Sequence, residues 1–375
     1  MFTNRMIRNL LVPVVLEQIL NSIMGTADTM MVSNVGSAAL SAVSLVDSIN
    51  VLLIQAFSAL AAGGAIVCAQ YIGQRNYEKA NMSARQVLFI ITAISVVVSA
   101  VCLIFQKPLL RLIFGAVDAD VMRASETYFF FTALSFPFIA AYDSAASIFR
   151  AQENTKGPMT ISMISNIMNI GGNAVLIWVF HLGVAGAAIS TLVSRIFCAV
   201  VVLWQLRKDR QPVVVRDYLK IRPDWSMIGR ILGLGIPSGI ENSMFQLGKL
   251  AIQSTVSTLG TAAIAAQAMT NILENLNGIA AIGVGVGLMT IVGQCLGAGR
   301  KDEAVYYIKT LRHCRGSYYR KLSDRVYFGQ TGDDPWRNGE YQCRNVHPHD
   351  HMDHHRKACG MDNGVRAGVW SSCSR

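Results

Sequence analysis

Long apolar runs alternate with short polar breaks along this chain. Eight runs stand out, over residues 10–33, 45–70, 87–106, 126–149, 159–180, 184–206, 231–256 and 262–293. Each is close to or above the ~20 residues that carry a helix across the ~30 Å hydrocarbon core of a bilayer. Apolarity is continuous within each run and lacks the period of two that marks a barrel strand, so each predicts a helix. One buried helix of a soluble protein can look like this, but eight in series cannot. The pattern predicts an all-α integral membrane protein, multi-pass in the cell membrane, with about eight transmembrane helices.

The pattern also repeats. Pro13 returns 224 positions later as Pro237, Glu17 as Glu241, Gly36 as Gly260, and Ala38, Ala39 and Ala42 as Ala262, Ala263 and Ala266. Gly63, Gln70, Gly73 and Ala80 return without a gap as Gly287, Gln294, Gly297 and Ala304. A fixed offset held over apolar, helix-length segments predicts a duplicated bundle of spanning helices, a common plan for transporters.

Composition agrees: 52% of residues are hydrophobic and 15% charged, with mean hydropathy +0.38. The formal charge of +10 would suit nucleic acid, but its placement excludes that partner. With the N-terminus inside, the inner segments carry 17 basic residues, seven of them in the 207–230 connection. The outer loops carry only Lys107, Arg111 and Arg123. Such a bias follows the positive-inside rule and predicts a cytoplasmic N-terminus and a cytoplasmic 207–230 connection. No cleavable signal peptide is evident, so the first span is expected to serve as its own insertion signal. Cys68, Cys102, Cys198 and Cys295 sit singly within apolar segments and read as small packing residues.

A repeat unit of this length would place another apolar span near residue 311, where the first copy has the one that starts near Val87. Instead, residues 310–375 contain no apolar run and no helical or strand period. They hold six of the seven histidines and four of the eight cysteines. The dense HPHDHMDHH cluster predicts at most weak zinc or nickel binding, because no CxxC pair accompanies it. The preferred expectation is a disordered polar tail out of register with the rest, as after a frameshift. The organisation expected is 1–224 as a complete six-helix lobe with its linker, 225–309 as the first two helices of a second lobe, and 310–375 as the tail.

An ionisable side chain inside a span is a functional candidate by default. Asp28 is the first: a buried carboxylate can bind a proton or a desolvated cation and release it when opened to water. Asn166, Asn169 and Asn173 follow at spacings of 3 and 4 on one helix face, beside a kink expected at Gly171-Gly172. An amide does not titrate, but its carbonyl can ligate sodium. Glu17 and Glu241 each stand four residues after the repeated proline, to cap a broken turn or line a cavity. Gln246 is a further cavity candidate. Glu274, Asp143 and Lys249 fall in or near spans, where a Lys249–Glu241 or Lys249–Glu274 pair would satisfy all of them cheaply. Gln70-x-x-Gly73 and Gln294-x-x-Gly297 read as devices that end a helix at the inner face. The spans hold no phosphate loop, nucleophile triad or metal-ligand spacing, which predicts a protein that is not an enzyme and needs no cofactor.

Pro13 to Ala42, with Asp28 in a D-T-x-x-V setting followed by G-x-A-A-L-x-A, resembles the first helix of the multidrug and toxic compound extrusion (MATE) family. The resemblance continues in Gln70-Tyr71-Ile72-Gly73, in Asn166 to Asn173, in Gly183 to Thr191, in Gly235-Ile236-Pro237 and in Leu259 to Ala266, covering about 1–309. It implies a MATE-like bundle of two six-helix lobes that rock about a central cavity, monomeric in the lipid bilayer. Such a protein exports small organic cations or drugs in exchange for Na⁺ or H⁺. Asp28 matches the family's coupling carboxylate, with Asn169 and Asn173 beside it. Asn173 stands where many members carry an acid, and Phe245 where some carry a second-lobe acid, so a two-carboxylate proton site is not expected here. Loss of the last four helices would impair transport. Two other readings stay open: an inactive fragment or assembly partner, and a lipid-linked precursor flippase of the same superfamily. The flippase would need more cavity cations than Arg195 and Lys249.

Overall fold

The computed structural model of the chain describes residues 2–114, 119–208, 211–215, 223–257 and 261–310; the expected tail over 311–375 lies outside them. The described residues form helices α1 (Asn4–Ser33), α2 (Ser37–Gly73), α3 (Tyr77–Ile104), α4 (Gln106–Phe114), α5 (Ala119–Leu134), α6 (Phe136–Ala151), α7 (Lys156–Ala174), α8 (Gly183–Leu206), α9 (Trp225–Ser257) and α10 (Thr261–Gly297). A π-helical turn, Val175–Val179, extends α7. Helical backbone resumes over 301–310, which corresponds at the repeat offset to the start of α3. Residue 310 is therefore helical and does not belong to the tail.

Among the described residues, five helices are long and apolar enough to cross a bilayer, and α5 with α6 makes a sixth. The two ranges expected for spans seven and eight are occupied by α9 and α10, of 33 and 37 residues. One expectation needs correcting. The run 126–149 is not a single rod, because α5 and α6 meet at a 42° bend. Pro137 causes it: without an N–H it cannot donate to Ala133 O, four residues back. The Ser99 hydroxyl of α3 donates to that oxygen instead, at 2.8 Å.

Pro13 leaves the same gap in α1, freeing Asn9 O, to which the Thr155 hydroxyl donates at 3.2 Å. Thr155 is buried (1% exposed), so Thr155→Val would strand a carbonyl. We expect it to lower stability by about 1–2 kcal/mol, read as a drop in the unfolding midpoint of the purified chain.

In the connection after α8, the described residues 211–215 pack against the bundle. Val213 and Val215 are fully buried, Val213 N donates to Gln152 Oε1 (3.0 Å), and Val214 N donates to Asn81 Oδ1 (2.8 Å). These bonds hold residues 213 and 214 against the end of α6 and the start of α3. Asp224 then caps α9, its Oδ1 accepting from Ser226 N and Met227 N.

The duplication is visible in how the helices meet. A Cβ at Gly63 of α2 would lie 2.6 Å from the backbone of Gly235 in α9. The equivalent pair one repeat away is Gly287 of α10 and Leu11 of α1, where a Cβ would lie 2.3 Å from the leucine side chain. So α2 packs on α9 as α10 packs on α1. Where α2 and α10 meet each other, equivalent positions touch: Gly293 faces Ala69 at 2.9 Å, one repeat apart. A Cβ on Gly73 would fall 2.1 Å from Gln294 O, and one on Gly297 would fall 2.0 Å from Gln70 O. The two Gln-x-x-Gly segments thus do more than end their helices. They are a reciprocal contact across a local two-fold axis.

The seam is reinforced at the end of α6. Gln294 Nε2 donates to Ala151 O (2.9 Å) and Thr290 Oγ1 to Arg150 O (3.2 Å). Burial there raises the carboxyl of neighbouring Glu153 above its ordinary range, opposed by a hydrogen bond from Gln294. The main core draws side chains from α1 through α9, with Phe129, Phe136, Phe149, Ile91 and Ile148 among its fully buried members.

Candidate functional site

Three helices of the first repeat converge around Asp28. Asn173 of α7 donates through Nδ2 to Asp28 Oδ1 at 2.6 Å and to Asn169 Oδ1 at 3.3 Å. Asn169 Nδ2 in turn donates to Thr191 Oγ1 of α8 at 3.3 Å, and Ser190 Oγ donates to Asn169 O at 2.9 Å. Asn169 and Asn173 are buried (1% and 0% exposed). The amide faces recur because residues four apart share a helix face. Helix α8 can approach because position 172 is glycine: a Cβ there would lie 2.4 Å from Ser190 Oγ. The kink expected at Gly171-Gly172 appears instead as the π-helical turn that begins at Val175.

Of the sequence candidates, Asp28, Asn169 and Asn173 come together. Asn166 is buried but belongs to a separate branch, where its Nδ2 and the Ser162 hydroxyl both donate to Asn21 Oδ1 at 3.0 Å. Glu17 is 2% exposed and pairs with Arg150, whose Nη2 donates to both carboxylate oxygens at 3.0 and 3.1 Å. Tyr142 OH adds a bond to Glu17 Oε1 at 3.2 Å. Arg150, counted from sequence only as an inner-loop charge, is thus a structural partner. On α9, Glu241 is exposed and Gln246 half-buried, neither bonded to the Asp28 cluster. Lys249 Nζ sits 5.0 Å from the Phe245 ring centroid, and the side chain of Glu274 lies outside the described residues.

Asp47 was missed, and the partners of Asp143 and Arg195 were not foreseen. Asp47, three turns into α2, accepts from Asn50 Nδ2 (3.3 Å) and Tyr128 OH (3.2 Å). Arg195 of α8 donates to Ser135 Oγ (2.6 Å), at the bend between α5 and α6. Asp143 accepts from Ser58 Oγ (2.5 Å). Asp47 lay in an apolar run and met the same criterion as Asp28; Tyr128, Ser135 and Thr191 carry no sequence signal of their own.

The site has the chemistry of a small-cation binder: a carboxylate, two amides and a hydroxyl, with an oxygen to spare. Asn173 Oδ1 is buried and has no hydrogen-bond donor among the described residues. A buried carbonyl without a donor is costly unless a cation or water satisfies it.

A sequence model described as MatE matches residues 13–175 and 237–311. The chain belongs to the MATE family. A probable multidrug resistance protein, YoeA, of Bacillus subtilis is 27% identical over 308 residues, covering 80% of this chain and 66% of that protein. A probable multidrug resistance protein, NorM, of Thermotoga maritima is 25% identical, covering 80% of this chain and 65% of that protein. The chain thus spans about two thirds of the length of these relatives. Among solved structures, an outward-facing multidrug resistance MATE family transporter of the MOP superfamily aligns with TM-score 0.80 at 18% identity, covering 87% of this chain and 72% of that one. The fold is therefore the all-α multi-pass membrane fold of MATE transporters, a family of carriers and not of enzymes. The family match stops at 311, where the repeat would require another span.

Proposed function

We propose that this chain is a MATE-type antiporter, exporting organic cations in exchange for sodium bound at Asp28, Asn169, Asn173 and Thr191. The observation that carries this reading is the buried, donorless Asn173 Oδ1 beside the Asp28 carboxylate. Where an acid at position 173 would add a second titrating group, an amide adds a neutral oxygen, which favours a metal cation over a proton pair. The multidrug resistance names of its relatives support an organic cation as substrate. The N-terminus is assigned to the inside, with residues 1–224 as one lobe and 225–309 opening the second.

The cycle follows from charge. An empty Asp28 cluster is anionic in a low-dielectric bundle and attracts a cation; filling it neutralises the carboxylate and releases the organic cation outward. Efflux of ethidium from cells expressing the chain tests this. We expect sodium-dependent efflux that falls at least tenfold in Asp28→Asn. Equal efflux from both proteins would remove Asp28 from the mechanism. No efflux from either would favour the reading of this chain as an inactive or partner-dependent fragment.

A further inference from the structure

Among the described residues, the interior of the first repeat holds more carboxylates than guanidinium groups to pair them. Glu17 and Arg150 neutralise each other. Asp28, Asp47 and Asp143 remain, and Arg195 lies within electrostatic range of all three. Arg195 donates a hydrogen bond to the neutral Ser135 hydroxyl. One arginine against three carboxylates leaves two negative charges in excess when all are ionised, an arrangement that a low-dielectric interior penalises heavily. One cation at Asp28 removes one of them.

Geometry locates the other. Asp143 accepts from the Ser58 hydroxyl, and its bonding partner offers no unpaired buried acceptor among the described residues. Asp47 differs: it receives the Asn50 amide N–H and the Tyr128 hydroxyl, and Asn50 Oδ1, on that same amide, has no donor among the described residues. Asn50 is 3% exposed and Tyr128 8%. Asp47 and Asn50 are three residues apart on α2, hence neighbours on one face. A carboxylate, an unsatisfied buried amide carbonyl and a phenol oxygen are hard donors of the kind that hold a small cation. The donorless carbonyl beside a carboxylate repeats what Asn173 shows beside Asp28, but here both groups are on α2, with Tyr128 of α5 against them.

We propose that Asp47, Asn50 and Tyr128 form a second site for a small monovalent cation such as Na⁺, within electrostatic range of Asp28 and separate from it. The charge count rests on the reading of Asp28 as the first cation site, so the experiment separates the two. Binding of ²²Na⁺ to the full chain, purified in detergent at pH 8, is counted per chain, with size-exclusion elution as the folding control. We expect two ions in the wild type, one in Asp47→Asn and one in Asp28→Asn. Asn50→Leu, which keeps every charge, should weaken one site by about tenfold or more and leave the other unchanged. If Asp47→Asn binds as much sodium as the wild type, the Asp47 site is overturned, whatever Asp28→Asn does. If Asp28→Asn keeps the full count while Asp47→Asn loses an ion, the coupling reading of Asp28 fails and the second site stands. A single ion lost only in Asp28→Asn overturns the second site, and no bound sodium at all overturns both.

Discussion

Alanine at Gly73 or Gly297 will lower the stability of the chain by about 1–3 kcal/mol each, the usual range for overpacking a tight contact. The reason is the reciprocal contact of α2 with α10. Each missing Cβ points at a backbone carbonyl of the other helix, at 2.1 Å from Gln294 O or 2.0 Å from Gln70 O. Backbone cannot swing aside as the end of a leucine can, so the helices must separate. The separation would stretch the Gln294–Ala151 and Thr290–Arg150 bonds beside it. Gly25 of α1 supplies the control, because a Cβ there meets nothing within 4 Å. Gly25→Ala should stabilise by up to about 1 kcal/mol, through the lower helix propensity of glycine. Unfolding midpoints of the three variants in one detergent check the prediction. A midpoint for Gly73→Ala or Gly297→Ala at or above that of the wild type would show that the seam opens freely.

What the sequence made legible here is periodic or local. Apolar runs announced the helices because a bilayer demands ~20 residues of them in a row. The 224-residue offset announced that α9 and α10 would resemble α1 and α2. Asp28, Asn169 and Asn173 could be named because charge and amide clusters are rare in such runs, and the two asparagines share a helix face. What stayed hidden depends on pairing across distance. Glu17 and Arg150 lie 133 positions apart, and no local pattern ties them. The bend at Ser135 was masked because Pro137 interrupts hydrogen bonding without interrupting apolarity. The role of the Gln-x-x-Gly segments was half visible: glycine at a helix end has a local explanation, and only the packing shows that each faces the other's carbonyl.

The prolines and the polar cluster are connected through this same rule. Within a membrane-spanning bundle, a carbonyl that a proline leaves bare needs another donor, and a hydroxyl from a neighbouring element can supply it. Ser99 and Thr155 supply them at Ala133 O and Asn9 O. The bend so stabilised at Ser135 is where Arg195 is anchored. A kink required by backbone chemistry thereby sets the position of Arg195, which lies within electrostatic range of three aspartates.

Breaking the Glu17–Arg150 pair from one side should be the most damaging single change outside the cation sites. Arg150 Nη2 reaches both oxygens of Glu17, and the side chains are 18% and 2% exposed. Removing one member of a buried pair leaves the other charged and unsolvated, at a cost of about 3–5 kcal/mol. Arg150→Met strands Glu17, the more deeply buried of the two, with only Tyr142 OH to bond it, and should cost the most. Glu17→Gln keeps a neutral acceptor for the guanidinium, so it should fall at the lower end. The double variant Glu17→Leu with Arg150→Met removes both charges and should recover most of the loss, since desolvating such a pair offsets much of its attraction. Chemical-denaturant midpoints of the two singles and the double test this as a cycle. If the double variant is as unstable as the sum of its singles, the pair does not act as a unit, and Glu17 is held by Tyr142 and packing instead.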